Sequence, residues 1–110
     1  MTIQINTDKN LSVHETFRAQ LDDLLLEELD RFSEHITRLE VHLSDENGSK
    51  KGQDDKRCLL EARLEGKQPI AVTDLADTYE NAVEGALQKL KSSLDKIVGR
   101  SRNHKGPVDL

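Results

Sequence analysis

The sequence predicts an α+β domain, a two-layer sandwich in which two helices cover one face of a four-stranded sheet. Four short segments alternate apolar and polar residues as half-buried strands do, and two longer segments repeat apolar residues at helical spacing. The predicted order is β-α-β-β-β-α, and 110 residues is a usual length for one domain. Elements with one apolar side bury that side against another layer, so both helices should pack on the same face of the sheet.

The first third of the chain predicts one strand and one helix. Thr2–Thr7 alternates, with its two isoleucines on one side. Ser12 and Glu15 have the spacing of a capping box, so a helix should start there and end near Ser33. Its apolar stripe consists of Val13, Phe17, Leu21, Leu24, Leu25 and Phe32, and its acidic face of Asp23, Glu27, Asp30 and Glu34. A right-handed crossover through this helix should set the first strand parallel to its neighbour.

Three further strands are predicted, at residues 36–44, 57–65 and 69–73. Their inward residues are Leu39, Val41 and Leu43, then Cys58, Leu60, Ala62 and Leu64, then Ile70 and Val72. Residues 45–56 contain two glycines and no apolar side chain, which predicts a mobile loop between the second and third strands.

A second helix follows the last strand. Asp77 and Glu80 have capping-box spacing, and Gly99 is a typical helix-ending residue. The predicted core stripe is Tyr79, Val83, Ala86, Leu87, Leu90, Leu94 and Ile97. We therefore expect one domain over residues 1–99 and a flexible basic tail over residues 100–110.

The charge of the chain is unevenly distributed. The net charge is −5, yet residues 87–110 carry six basic and two acidic side chains, whereas the first 86 residues carry ten basic and nineteen acidic ones. A basic region on an acidic body predicts a localised contact with an anionic partner. The single cysteine excludes an internal disulfide framework and fits a reducing, cytoplasmic compartment, and no apolar run suggests a signal peptide or a transmembrane helix.

The basic residues of the second helix form the main candidate site. At 100° per residue, Lys89, Lys96 and Arg100 lie within about 40° of one another on one flank of the core stripe, and Lys91 lies on the other flank. Such a ridge can follow phosphates, although basic residues near a helix C-terminus also complement the helix dipole. The predicted RNA-binding residues are Lys89, Lys91, Lys96, Arg100, Arg102 and Lys105, with Lys56, Arg57 and Arg63 adding phosphate contacts at the sheet edge.

The outward face of the sheet favours a different interpretation. It lacks the aromatic side chains on which RNA-binding sheets commonly stack bases, and cross-strand ion pairs explain its charged residues.

Residues that could support catalysis or metal binding do not form a recognisable pattern. The four histidines are scattered, Cys58 lies on the predicted core face, and neither a phosphate-binding glycine loop nor a catalytic triad order is visible. Asp54 and Asp55 lie in the predicted loop, where carboxylates are normally solvated. The sequence therefore predicts a protein that is not an enzyme and needs no metal or cofactor.

The chain also resembles the hibernation-promoting factor/RaiA family of ribosome-associated proteins, in its short single-domain form. The resemblance extends from residue 2 to about residue 100 and includes the β-α-β-β-β-α order. It rests on residues 30–32 (DRF), 36–43 (ITRLEVHL), 82–83 (AV) and 88–90 (QKL), and for the short branch on residues 41–48 and 55–64.

This resemblance implies a function. Members of the family bind the small ribosomal subunit near the channel used by messenger and transfer RNA, and they keep idle ribosomes inactive under stress. Basic residues of the second helix are among those that meet ribosomal RNA, which corresponds here to Lys89, Lys91, Lys96 and Arg100. The implied partner is the 16S rRNA of the small subunit; we expect a cytoplasmic monomer with no small-molecule substrate and no membrane contact.

Two other functions remain open from the residues alone. The acidic first helix or an exposed strand edge suits a module that binds a regulatory protein. An enzyme would require a deep pocket lined by convergent polar groups, for which the sequence gives no candidate.

Overall fold

A computed structural model describes residues 1–7, 15–46 and 55–103, the last five of these by their backbone alone. The elements are β1 (Thr2–Thr7), α1 (Glu15–Glu28), a short 3-10 turn (Asp30–Phe32), β2 (Ile36–Asp45), β3 (Lys56–Leu64), β4 (Ile70–Ala76) and α2 (Tyr79–Asn103). This order confirms the predicted β-α-β-β-β-α arrangement.

The four strands form one mixed sheet in the order β1-β2-β3-β4. β1 runs parallel to β2, as predicted, because α1 carries the chain back before β2 begins. β2 with β3 and β3 with β4 are antiparallel pairs. The turn from β3 to β4 contains Gly66 with a φ of 72°, a left-handed conformation that suits glycine.

The core lies between the sheet and the two helices and is almost entirely aliphatic. The strands bury alternate residues, so Leu39, Val41 and Leu60 are fully covered while their neighbours face away. From the helices, Leu25 and Leu90 meet them, each with no exposed surface. Burying a side chain of this size stabilises the fold by about 1.5–3 kcal/mol, which makes this layer the main source of stability.

The first helix ends earlier than predicted. α1 ends at Glu28, and the Leu29 amide donates the last α-helical hydrogen bond to the Leu25 carbonyl at 3.0 Å. A tighter turn follows, in which the Phe32 amide donates to the Leu29 carbonyl at 2.9 Å. This turn keeps both Leu29 and Phe32 in the core, with at most 1% of either side chain exposed. The predicted cap formed by Ser12 and the predicted loop interior, residues 47–54, lie outside the described residues.

Both predicted ends of the second helix are wrong. Thr78, not Asp77, caps the N-terminus, since its hydroxyl accepts a 3.0 Å hydrogen bond from the Asn81 amide. Asp77 instead accepts a bond from the Asn81 side chain. The helix also continues past Gly99 to Asn103, because an interior glycine costs a helix only about 1 kcal/mol relative to alanine.

Two strands are also displaced or longer than predicted. β3 begins at Lys56 rather than Arg57, and β4 continues beyond Thr73 to Ala76. The register explains both changes, because Lys56 pairs with Ala76 and so extends the β3–β4 ladder to the loop. Asp74 thereby becomes a strand residue on the side that the helices cover.

Candidate nucleic-acid interface

The second helix positions its basic residues on two opposite flanks, as the helical spacing predicted. Lys89 lies on the flank above β4, where it contacts Thr73 and Asp74. Lys91 lies on the flank beside α1, where it contacts Glu28. The two flanks therefore face different surroundings.

Lys89 is held by two oxygens of β4. Its ammonium donates to the Thr73 carbonyl at 2.8 Å and to the Asp74 carboxylate at 3.1 Å. The lysine side chain is 55% exposed and the aspartate 28% exposed, so the pair lies at the rim of the helix–sheet contact. Lys89 remains accessible to solvent, but its charge already has a partner.

Lys91 belongs to a pair of ion bridges that join the helices. Its ammonium lies 2.8 Å from the Glu28 carboxylate, and both side chains are partly covered. Asp95, which follows Lys91 by four residues in α2, accepts two hydrogen bonds of 2.7 and 3.2 Å from Arg31. The Asp95 carboxylate raises the pKa of Arg31, chiefly through these hydrogen bonds. The two bridges have opposite polarity: α2 supplies the cation Lys91 and the anion Asp95, while Glu28 comes from α1 and Arg31 from the 3-10 turn after it.

Lys96 has different surroundings. It is exposed on the same flank as Lys89 and forms no ion pair within the described part of the chain. Arg100 and Arg102 continue the backbone of α2, but their side chains lie outside the described part, as does Lys105.

Lys56 lies on the helix-covered side of the sheet, at the end where α2 begins. Its ammonium is 2.9 Å from the Asp55 carboxylate and 3.5 Å from that of Asp45, and it lies 5.9 Å from the ring centre of Tyr79. The hydrogen bond to Asp55 is the main cause of a raised pKa for Lys56. This lysine therefore links the end of β2 to the residue that precedes β3.

Arg57 and Arg63 lie on the opposite, open face of the sheet, together with Arg38, Glu40 and His42. Arg57 and Arg63 were predicted to lie at the sheet edge, but β3 is an interior strand, so they do not. Glu40 organises this face: its carboxylate lies 3.1 Å from Arg38, 3.3 Å from His42 and 4.0 Å from Arg63. The Arg63 contact crosses from β3 to β2, so a predicted cross-strand ion pair is present, whereas Arg38 and His42 lie in β2 with Glu40 itself.

Arg57 is half-buried and forms no ion pair with another described residue. It borders a shallow depression that is also lined by Asn6, His42 and Ser44. The hydroxyl of Ser44 in turn donates to Glu46 at 3.0 Å, so a carboxylate lies near this depression.

Comparison with known proteins identifies the family. The family model described as sigma 54 modulation protein / S30EA ribosomal protein matches residues 3–102. The chain belongs to this family. Its membership confirms the resemblance to the ribosome-associated hibernation-promoting factor/RaiA proteins. Comparison with curated protein sequences found no significant match.

Two solved structures of similar proteins share the fold of this chain. A ribosomal subunit interface protein from Coxiella burnetii superposes with a TM-score of 0.70 at 17% identity, covering 90% of this chain and 99% of that one. The N-terminal domain of Thermus thermophilus Protein Y gives a TM-score of 0.69 at 21% identity, covering 88% and 99%. At these identities the similarity establishes the α+β fold alone.

The sequence prediction missed the two carboxylates that pair with Lys89 and Lys91 of α2. Asp74 has the same strand parity as Ile70 and Val72, so it is a charged residue at an inward position of β4. Glu28 lies seven residues after Leu21 and four residues after Leu24, and this spacing places it along the apolar stripe of α1. An acidic residue within an apolar pattern is the signal that could have indicated a buried or paired partner.

Two kinds of chemical group, a metal cluster and a reactive thiol, can be assessed within the described ranges. Within residues 1–7, 15–46 and 55–98, no three His, Cys, Asp or Glu side chains are grouped to hold a metal ion. Cys58 is fully buried, and desolvation together with the nearby Asp74 carboxylate raises the pKa of its thiol to about 12. The thiol is therefore protonated at neutral pH and unreactive as a nucleophile. None of the described helices is both long and apolar enough to cross a membrane.

Proposed function

We propose that this protein is a non-enzymatic ribosome-binding factor that docks on the 16S rRNA of the small subunit, inhibits translation and promotes ribosome hibernation under stress. The observation that carries the proposal is membership of a ribosome-associated family over residues 3–102. The ribosomal subunit interface protein with the same fold adds to this support. Such a protein acts in the cytoplasm, where translating ribosomes are found.

The flank of α2 above β4 is the proposed primary contact. Lys96 is exposed there without an internal ion pair among the described residues, and Lys89 is more than half exposed. Arg100 follows at helical spacing. Each cation that neutralises a phosphate releases condensed counterions, so even a few such contacts provide sequence-independent affinity that salt weakens.

The acidic residues of α1 and of the turn that follows it orient the docked protein. Glu27, Asp30 and Glu34 belong to an acidic surface next to the flank of α2 that Lys91 occupies. Phosphates repel this surface, so binding is favourable when α2 faces the RNA and the acidic surface points away from it. In that position the body of the domain would occupy the channel used by messenger and transfer RNA.

Sedimentation with ribosomes tests the proposal directly. Purified protein is mixed with stationary-phase ribosomes at about 50 mM and about 200 mM salt and centrifuged through sucrose. We expect the protein to pellet with ribosomes at the lower salt concentration and to be released at the higher one. Absence from the pellet at low salt would refute ribosome binding.

A charge reversal then tests the α2 flank. Lys96→Glu should weaken binding at every salt concentration and make the slope of log affinity against log salt shallower by about 0.9. Lys67→Glu is the matched control, because Lys67 is an exposed lysine in the β3–β4 turn and gives the same change in net charge. Equal loss of affinity in both variants would remove α2 from the interface.

Translation in a cell-free extract tests the inhibitory role. Wild-type protein should reduce reporter synthesis in proportion to ribosome occupancy, and Lys96→Glu should inhibit less at the same concentration. Ribosome binding without any inhibition would leave association intact and contradict the hibernation role.

A further inference from the structure

Two of the lysines proposed to meet RNA are already bound to carboxylates of neighbouring elements. Lys89 of α2 pairs with Asp74 of β4 at 3.1 Å, and Lys91 pairs with Glu28 of α1 at 2.8 Å. These partners lie 15 and 63 residues away in the chain, so the fold brings each pair together. An RNA phosphate that binds either lysine would have to share the ammonium with this carboxylate or displace the carboxylate from it.

The site that holds Asp74 is shaped for its carboxylate. The side chain faces the helix layer and lies against Gly85, one turn before Lys89. A β-carbon at Gly85 would stand only 1.6 Å from the Asp74 Oδ2 atom, so the absence of a side chain there makes room for the acid. Asp74 is therefore fixed by packing as well as by charge.

Glu28 is similarly restrained. Its side chain is 34% exposed and that of Lys91 is 23% exposed, so both members of the pair are less solvated than ordinary surface ions. The preceding residues of α1, Leu24 and Leu25, pack with the core, and this anchors the last turn that carries Glu28. A reduced exposure strengthens the attraction within the pair and limits its screening by salt.

We propose that Asp74 and Glu28 are affinity-setting residues of the RNA-binding surface: each holds a lysine of α2 in an internal ion pair that an RNA phosphate must replace. The inference rests on the proposed function and states what limits the affinity of the α2 lysines for phosphate. Binding then exchanges a carboxylate partner for a phosphate partner, so each lysine contributes less affinity than an unpaired lysine would. Lys96, which has no such partner among the described residues, contributes its full effect.

The carboxylates also act on RNA directly. A phosphate that binds Lys89 comes close to the Asp74 carboxylate, because that carboxylate lies 3.1 Å from the same ammonium, and the two anions repel each other. Removing the charge of Asp74 without changing its shape should therefore both free Lys89 and remove a repulsion. Because exposed ion pairs contribute modestly, we expect each such change to tighten binding by roughly two- to fivefold.

Neutral, isosteric substitutions test the inference. Asp74→Asn and Glu28→Gln are compared with wild type for ribosome affinity by sedimentation titration at three salt concentrations. Glu65→Gln is the matched control, because Glu65 is exposed in the β3–β4 turn, forms no ion pair within the described ranges and changes the net charge equally. We expect both test variants to bind more tightly than this control, with a steeper salt dependence. Affinities no higher than that of the control would overturn the inference.

A second pair of variants shows whether the gain acts through the lysine. The gain from Asp74→Asn should be smaller in a Lys89→Ala background than in wild type, and the gain from Glu28→Gln should be smaller in a Lys91→Ala background, because only the removal of repulsion then remains. A gain of equal size with and without the lysine would overturn the exchange mechanism. If wild-type protein binds ribosomes but the neutral variants match the control, this inference alone fails; if wild type does not bind, the proposed function fails with it.

Discussion

Gly85 provides a prediction whose sign is opposite to the general rule. In most exposed helix interiors, replacing glycine by alanine stabilises the helix by about 1 kcal/mol, because alanine has less backbone freedom to lose on folding. Gly85 lies in α2 against β4, and an added β-carbon would be 1.6 Å from Oδ2, 2.6 Å from Cγ and 3.3 Å from Cβ of Asp74. We therefore expect Gly85→Ala to destabilise this protein.

The magnitude follows from what must move. Rotation of the Asp74 side chain removes the overlap with its carboxylate but breaks its 3.1 Å ion pair with Lys89, which contributes less than about 1 kcal/mol because it is largely exposed. The Asp74 β-carbon does not move with that rotation, so α2 must also shift slightly from β4. Insertion of one methyl group into a packed contact costs about 1–3 kcal/mol. After the helix-propensity gain of about 1 kcal/mol, we expect a net loss of about 1 kcal/mol in the free energy of unfolding.

Urea unfolding followed by circular dichroism measures this change. Gly85→Ala should lower the free energy of unfolding in wild type, whereas in an Asp74→Gly background, which removes both the carboxylate and the β-carbon, the same substitution should raise it by about 1 kcal/mol. The coupling between the two positions would then be about 2 kcal/mol, within the usual range for residues in contact. Equal stabilisation by Gly85→Ala in both backgrounds would refute the argument and the close approach on which it rests.

Four further results are expected. Thr78→Ala should lower the free energy of unfolding by about 1 kcal/mol, because the amide of Asn81 loses its 3.0 Å cap; a change below 0.3 kcal/mol, about the precision of a urea titration, would contradict this role. Leu90→Ala should cost about 2–5 kcal/mol in the same assay, since Leu90 has no exposed surface, and a loss under 1 kcal/mol would show that the core is loosely packed. Cys58 should react with a thiol reagent at pH 8 only as fast as the domain unfolds, and rapid labelling would show that the site opens locally. Because the folded pKa of Cys58 is raised from 9.0 to about 12, its contribution to stability is complete below pH 9 and declines between pH 9 and 12, so wild type should lose stability relative to Cys58→Ala over that range.

Periodicity made most of the fold predictable. Alternating and helical patterns located β1 and most of the described core residues, because the physical requirement to bury one side acts along the whole element. Val13, the first residue of the predicted α1 stripe, lies outside the described residues. The errors lie at element ends, where a single local contact decides. Asp77 and Thr78 are both good caps by residue type, and only the direction of the chain entering α2 selects Thr78. The end of α1 depended similarly on how Phe32 reaches the core, which local sequence does not specify.

The candidate site was predictable in its cations but not in their partners. Helical spacing located Lys89 and Lys91 on opposite flanks of α2, and the structure confirms that placement. Their carboxylate partners come from other elements, and a pairing across 63 residues depends on how α1 packs beside α2. Charge counting along the sequence therefore overstates the number of cations that can bind phosphate without displacing another group.

The two interhelical bridges explain how an acidic protein with a net charge of −5 could approach a polyanion in one orientation. Glu28 with Lys91 and Arg31 with Asp95 fix α1 against one flank of α2, and this holds the acidic surface of α1 on that side. The opposite flank, with Lys89 and exposed Lys96, is thereby kept apart from most of the carboxylates of α1. In 0.1 M salt, interactions between charges more than about 10 Å apart are mostly screened. The charge of the flank that faces RNA would therefore affect binding more than the net charge of the whole protein.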